Sequence, residues 1–169
     1  MNSEEIKKRL GTHVVDNLVK SGMKLGLGTG STAVWAVRRI GEHIKEGTLE
    51  NILAVPTSFQ TVLECEQWGI PCRSLNDSEI KGELDFSIDG ADEVDGNLNL
   101  IKGGGGALLI EKIVAYASRK YAIIVTSDKL VENLGMKFPI PLEVVSEARV
   151  TVIKAVEALG VKPEIRMAV

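Results

Sequence analysis

Between Asp85 and Glu111 the chain reads DFSIDGADEVDGNLNLIKGGGGALLIE. That stretch contains the groups needed to move protons on and off carbon. Asp89 and Asp92 lie three residues apart, Lys102 follows, Gly103 to Gly106 run consecutively, and Glu111 comes shortly after. Proton transfer needs a positioned carboxylate, and the oxyanion that develops needs a cation or N–H donors aimed at it. Four glycines let the backbone approach a ligand closely. A helix opening directly after them turns free N–H groups toward an anion such as a phosphate or an enediolate. Taken singly, each part has an ordinary reading. DGAD can be a turn, the glycine run a flexible loop, and Glu111 a partner of the helix dipole. Four kinds of catalytic group in one strand-loop-helix passage are far more specific than any one of them.

The elements that must position these groups follow from the pattern. Leu84 to Asp89 is apolar and β-prone, so Asp89 and Asp92 are expected just past the C-terminal end of a buried strand, where open α/β sheets bind ligands. Ala107 to Ala117 reads as a helix with Glu111 about a turn inside it. Upstream, Met23 to Gly28 is a strand, Gly28-Thr29-Gly30-Ser31-Thr32 a glycine-rich turn, and Ala33 to Lys45 a helix. That is a phosphate-binding arrangement, with hydroxyls and N–H groups offered to the anion. A dinucleotide site fits less well, because Gly26, Gly28 and Gly30 give G-x-G-x-G rather than G-x-G-x-x-G. Further strands are expected over Asn51 to Val55, Ile70 to Leu75 and Tyr121 to Thr126, with a helix from Ser58 as N-cap to Trp68. Strands alternating with helices predict an α/β fold, a Rossmann-like doubly wound and mostly parallel sheet. Ser3 to Lys20 reads as an amphipathic helix with Ser3 as N-cap, an apolar stripe of Ile6, Leu10, Val14 and Leu18, and His13 packed near it.

After Ser127 the character changes. Pro139 and Pro141 interrupt regularity. Leu142 to Val145 then reads as a strand, Glu147 to Leu159 as a helix and Glu164 to Val169 as a strand. The expected division is a Rossmann-like catalytic domain over 1–130 and a partial small α+β domain over 131–169.

Composition narrows the function classes. The chain has 169 residues, a net charge of −3 and 4% aromatic residues. Its Lys and Arg residues are scattered, so neither nucleic acid nor an anionic membrane is the expected partner. No apolar run is long enough to span a bilayer, and the charged start MNSEEIKKRLG lacks a signal-peptide core. The two cysteines, Cys65 and Cys72, carry no metal-ligand pattern and are expected to be reduced, with the cytoplasm as the expected compartment.

The motifs DGADEVD, KGGGGALLIEK, GLGTGST and SDKLVENLG, in this order and spacing, resemble type A ribose-5-phosphate isomerases over essentially the whole chain. The resemblance implies interconversion of D-ribose 5-phosphate and D-ribulose 5-phosphate through an enediol, in the non-oxidative branch of the pentose phosphate pathway. It implies Glu111 as proton acceptor and Asp89 moving hydroxyl protons. Lys102 with Gly103, Gly104 and Gly105 stabilises the enediolate, and Asp92 orients sugar hydroxyls or Lys102. Substrate would be held by Thr29, Gly30, Ser31, Thr32, Gly90, Ala91 and Lys129, with Lys7 near the phosphate. No cofactor and no metal are implied. Asp89 and Asp92 could ligate Mg²⁺, but Lys102 is a competing cation. A homo-oligomer, dimer or tetramer, is expected. The family continues past Val169, so the small domain is expected to be incomplete here. Ile110 departs from the basic or polar residue many members carry there, and is expected to point away from the site. A sugar-phosphate sensor on a related fold, an acyl-CoA transferase relative using a glutamate nucleophile, and a nucleotide-linked dehydrogenase remain open alternatives at this stage.

Overall fold

A computed structural model describes residues 2–167. Its centre is a four-stranded parallel sheet in the order β2-β1-β3-β6, with β1 at Lys24–Leu27, β2 at Leu53–Pro56, β3 at Phe86–Asp89 and β6 at Tyr121–Ile123. The helices are α1 (Ser3–Leu18), α2 (Ala33–Lys45), α3 (Phe59–Trp68), α4 (Leu108–Tyr116) and α5 (Arg149–Glu157). Chain order leaves β1 toward β2 on one side and returns to β3 on the other. The crevice beyond the carboxyl ends of β1 and β3 is therefore the topological switch point of the sheet.

Strand alternation decides which side chains reach that crevice and which form the core. Leu25 and Leu27 of β1, with Phe86 and Ile88 of β3, pack against Val14 and Val15 of α1 and Ala36, Val37 and Ile40 of α2. The residues between them, Gly26, Ser87 and Asp89, face the other side of the sheet, toward α4. Gly26 is required there, because a Cβ would stand 1.9 Å from Ser87 Oγ and 2.4 Å from a methyl of Val114 in α4. Val114, Val55, Ile80 and Leu84 form the smaller core on that side.

Several local expectations differ from the structure. Asn2, not Ser3, caps α1: its Oδ1 accepts from Glu5 N at 2.8 Å, and Glu5 Oε2 accepts from Asn2 N at 2.9 Å, a reciprocal capping box. His13 does not pack with the stripe; it is exposed beside Asn17. The buried face of α1 is Gly11, Val14 and Val15, and Ile6 and Leu18 are exposed. Ile70 to Leu75 makes no strand. Cys72 bridges Ala54 once, flanked by the bonds Ala54 N to Pro71 O and Arg73 N to Ala54 O, and the chain then turns away. β6 stops at Ile123 because its partner β3 ends at Asp89.

Between β3 and α4 the structure adds a short antiparallel hairpin absent from the sequence reading, β4 (Glu93–Val94) with β5 (Leu100–Ile101). Asp95 closes its turn by accepting N–H bonds from Asn97 and Asn99. Beyond β6, the expected helix is present as α5, but the flanking strands are not formed among the described residues. Leu142 to Val145 and residues 164–167 have no neighbouring strand to pair with, and residues 168–169 lie outside the described residues. Both cysteines are free thiols.

Gly11 sets how closely α1 and α2 approach, since a Cβ on it would lie 2.6 Å from the Ala36 nitrogen and from Trp35 backbone. Helix propensity favours alanine by about 1 kcal/mol. Overpacking against backbone costs about 1–3 kcal/mol and should win. Gly11→Ala is expected to lower Tm by several degrees in thermal unfolding; an unchanged or raised Tm would contradict this packing.

Candidate active site

Asp89 closes β3, and its carboxylate is 2% exposed. Its Oδ1 accepts the N–H groups of Gly90 at 2.8 Å and Thr29 at 3.2 Å, and its Oδ2 lies 3.0 Å from Lys102 Nζ. Gly28 makes this possible, because a Cβ there would fall 2.1 Å from Asp89 Oδ1. The glycine-rich turn after β1 and the aspartate after β3 are thus fitted to one another directly.

Lys102 follows β5. The hairpin carries it back over the end of β3, where its ammonium donates to Gly90 O at 2.5 Å and sits between Asp89 and Glu111, the latter at 3.1 Å. Glu111 is in the first turn of α4 and is 5% exposed, on the same face as buried Val114. Ile110 beside it is 44% exposed and points away, as expected from the sequence. The Glu111 Oε2 atom is buried and makes no directed hydrogen bond among the described residues, although the Lys102 charge is close. Burial pushes the Glu111 carboxyl above the usual glutamate range. The Asp89 charge adds to that rise, and Lys102 opposes it without cancelling it. A base poised in this way suits proton abstraction near neutral pH.

Asp92 does not contact Lys102. Its Oδ2 accepts the N–H of Gly104 at 2.8 Å, which ties the glycine run to the loop after β3. The N–H groups of Gly103 and Gly105 make no hydrogen bond among the described residues. Gly103 adopts φ +105°, a left-handed conformation that side chains disfavour.

At the other end of the cleft, Gly30 has φ +112° and leads into the N-terminus of α2. Ser31 Oγ accepts from Lys7 Nζ at 2.9 Å, so a cation from α1 stands over the helix start. Thr29 is braced from behind by Thr57, hydroxyl to hydroxyl at 2.8 Å, and Thr61 donates to Gly28 O at 3.0 Å. The intervening cleft has a volume of about 140 Å³. It is lined by Thr29 to Thr32, Gly90 to Asp92, Lys102 to Gly105, Glu111 and Lys129. Asp89 lies behind this lining, and Lys7 meets it through Ser31, so the site residues expected from the sequence fall in one place.

Sequence reasoning missed Ala33, Ile124 and Val125 in the wall, the threonine pair Thr57 and Thr61, and Tyr121. The Tyr121 hydroxyl is held protonated by burial and by the charges of Asp89 and Glu111. Only the hairpin had a signal, the Asp95-Gly96 dipeptide a few residues before the apolar pair Leu100-Ile101. Glu93 was also missed. It is wholly buried and accepts the backbone N–H groups of Gly135, Lys137 and Phe138. Burial pushes its carboxyl up, but those three donors outweigh this and hold it below the usual range. Among the described residues no group of three His, Cys, Asp or Glu side chains could hold a metal ion, and no helix is long and apolar enough to cross a membrane.

Known proteins resemble this chain in sequence and in fold. The family model of ribose 5-phosphate isomerase A (phosphoriboisomerase A) matches residues 53–169. A protein of Treponema denticola named ribose-5-phosphate isomerase A is 48% identical over 171 residues, covering 98% of this chain and 72% of the relative. The protein of that name from Treponema pallidum is 52% identical over 160 residues, covering 92% of this chain and 63% of the relative. A solved D-ribose-5-phosphate isomerase in complex with phospho-erythronic acid superposes with a TM-score of 0.94 at 40% identity, covering 100% of this chain and 72% of that one. The present chain spans 63% to 72% of the length of these relatives. By the family model over residues 53–169 and by these identities and coverages, the chain belongs to the ribose 5-phosphate isomerase A family.

Proposed function

We propose that the cleft interconverts D-ribose 5-phosphate and D-ribulose 5-phosphate through an enediolate. The observation that carries the reading is Lys102 Nζ held between Asp89 and Glu111, with one buried Glu111 oxygen free of any directed hydrogen bond. The phosphate would sit at the α2 N-terminus against Ser31 and Thr32, with Lys7 and Lys129 supplying charge. Asp89, paired with Lys102, would pass the ring hydroxyl proton and open the furanose to the aldehyde. Glu111 would remove the proton from C2 while O1 gains one, giving the enediol. The O2 proton then leaves, C2 becomes the carbonyl, and Glu111 returns its proton to C1. No electrons are gained or lost overall. Lys102 and the N–H groups of Gly103 and Gly105 would stabilise the negative oxygen at each stage. Asp92 holds Gly104 so that those donors stay aimed.

The same reading takes the protein as a cytoplasmic homo-oligomer acting on a small sugar phosphate. Two free thiols support a reducing compartment. Leu109, Ile110, Ile113 and Tyr116, exposed along the outer face of α4, support burial of that face in an assembly.

Turnover of ribose 5-phosphate should be measurable in the presence of EDTA, and Glu111→Gln is expected to lower kcat by about 10²–10⁴-fold, the usual contribution of a general base. Retention of full turnover by that variant would exclude the assignment.

The raised Glu111 pKa predicts two pH effects. Activity should fall on an acid limb lying above pH 4.5, the ordinary glutamate value, because the base must be ionised. Between the unfolded value and the higher folded value, the native state binds more protons than the unfolded state. This group's contribution to stability therefore falls as pH rises through that window. Glu111→Gln removes the penalty, so its Tm advantage over the parent should grow from pH 5 to pH 8. An advantage that shrinks with rising pH would overturn this account of the electrostatics.

A further inference from the structure

Glu93 takes no place in the mechanism above, yet it is the largest fully buried charged side chain in the described structure and no cationic side chain touches it. Its two oxygens accept three backbone N–H bonds from one segment: Gly135 at 2.5 Å, Lys137 at 2.5 Å and Phe138 at 2.7 Å. A buried carboxylate is costly unless hydrogen-bonded, and here the compensation comes entirely from residues 135–138. Backbone pairing places Glu93 opposite Ile101 in the hairpin, so its neighbours in the two strands are Asp92 and Lys102. The segment it grips lies against the glycine run. A Cβ on Gly104 would be 2.8 Å from Phe138 Cζ, and one on Gly103 would be 3.1 Å from Pro141 Cβ. Gly104 is the residue whose N–H is bound by Asp92.

We propose that Glu93 is a positioning residue: by fastening residues 135–138 it presses Phe138 against Gly104 and holds the Asp92–Gly104–Lys102 cradle in the geometry that stabilises the enediolate. This inference rests on the isomerase reading. Glu93 touches no substrate atom and acts through Phe138. Loosening the cradle costs interactions that strengthen only as negative charge develops, so the loss falls on kcat rather than KM.

The test compares the parent chain with Glu93→Gln, Phe138→Ala and the double variant, measuring kcat, KM and inhibition by phospho-erythronic acid, whose carboxylate carries charge as an enediolate does. Phe138 is only partly buried, so its truncation leaves the folded core and the Glu93 charge intact should the Gln variant fold poorly. Each single variant is expected to lower kcat by about tenfold to a hundredfold, the scale of a sub-ångström to 1 Å misplacement. KM should change little, phospho-erythronic acid should bind correspondingly more weakly, and the double variant should be no worse than the poorer single one. Inhibition constants do not depend on how much enzyme is folded, so a purely structural role would leave them unmoved. Unchanged inhibition in both single variants, or losses that multiply in the double variant, would overturn the proposal. An inactive parent chain would instead strike the isomerase reading itself.

Discussion

Everything in this cleft depends on one ammonium group placed between two buried carboxylates. Asp89 and Glu111 come from different elements, the end of β3 and the first turn of α4, and both are almost wholly removed from water. Two carboxylates so situated would repel one another, and Lys102 offsets that repulsion by standing 3.0 Å from Asp89 and 3.1 Å from Glu111. The lysine has to arrive from a third direction, which explains the hairpin. It folds the chain back on itself so that Lys102, thirteen residues after Asp89 in sequence, reaches the end of β3. The arrangement is costly for stability, and the surrounding structure holds it through Gly28, the N–H donors of Thr29 and Gly90, and the Gly90 carbonyl.

Much of this was legible in the sequence because the relevant signals are local. A strand ending in aspartate, a glycine run opening a helix, and a second glycine-rich turn before another helix each have a short-range physical cause, and all three were placed in the right elements. Asp89, Lys102 and Glu111 were identified from chemistry and spacing, and they meet. Elements that need a partner were harder to read. Ile70 to Leu75 has the composition of a strand but runs beside β2 for a single pair. Leu142 to Val145 pairs with no strand among the described residues. β-structure is a property of two segments, and a run of apolar residues declares only one of them.

The contacts that join distant segments were invisible for the same reason. Glu93 looked like one more acid in an acidic stretch, since its three partners come 42 to 45 residues later and are backbone groups that any sequence would offer. The fit of Gly28 to Asp89 spans 61 positions. Of the two roles expected for Asp92, sugar hydroxyls or Lys102, the structure shows no bond to Lys102, and the bond it does show, to Gly104 N, was not legible in the sequence.

The distribution of charge along the cleft has a consequence for how a ligand enters. One end offers Lys7 and the amides at the α2 N-terminus; the other is floored by Asp89, Asp92 and Glu111 against Lys102, with Arg166 donating to the Gly104 carbonyl at 2.7 Å. A dianionic head group entering the wrong way round would meet net negative charge at short range, while the right way round is attractive from several ångströms out. The cleft therefore sorts orientation before any hydroxyl is recognised. Carbons 1 and 2 reach the base by default, simply because they lie at the end of the molecule that carries no charge.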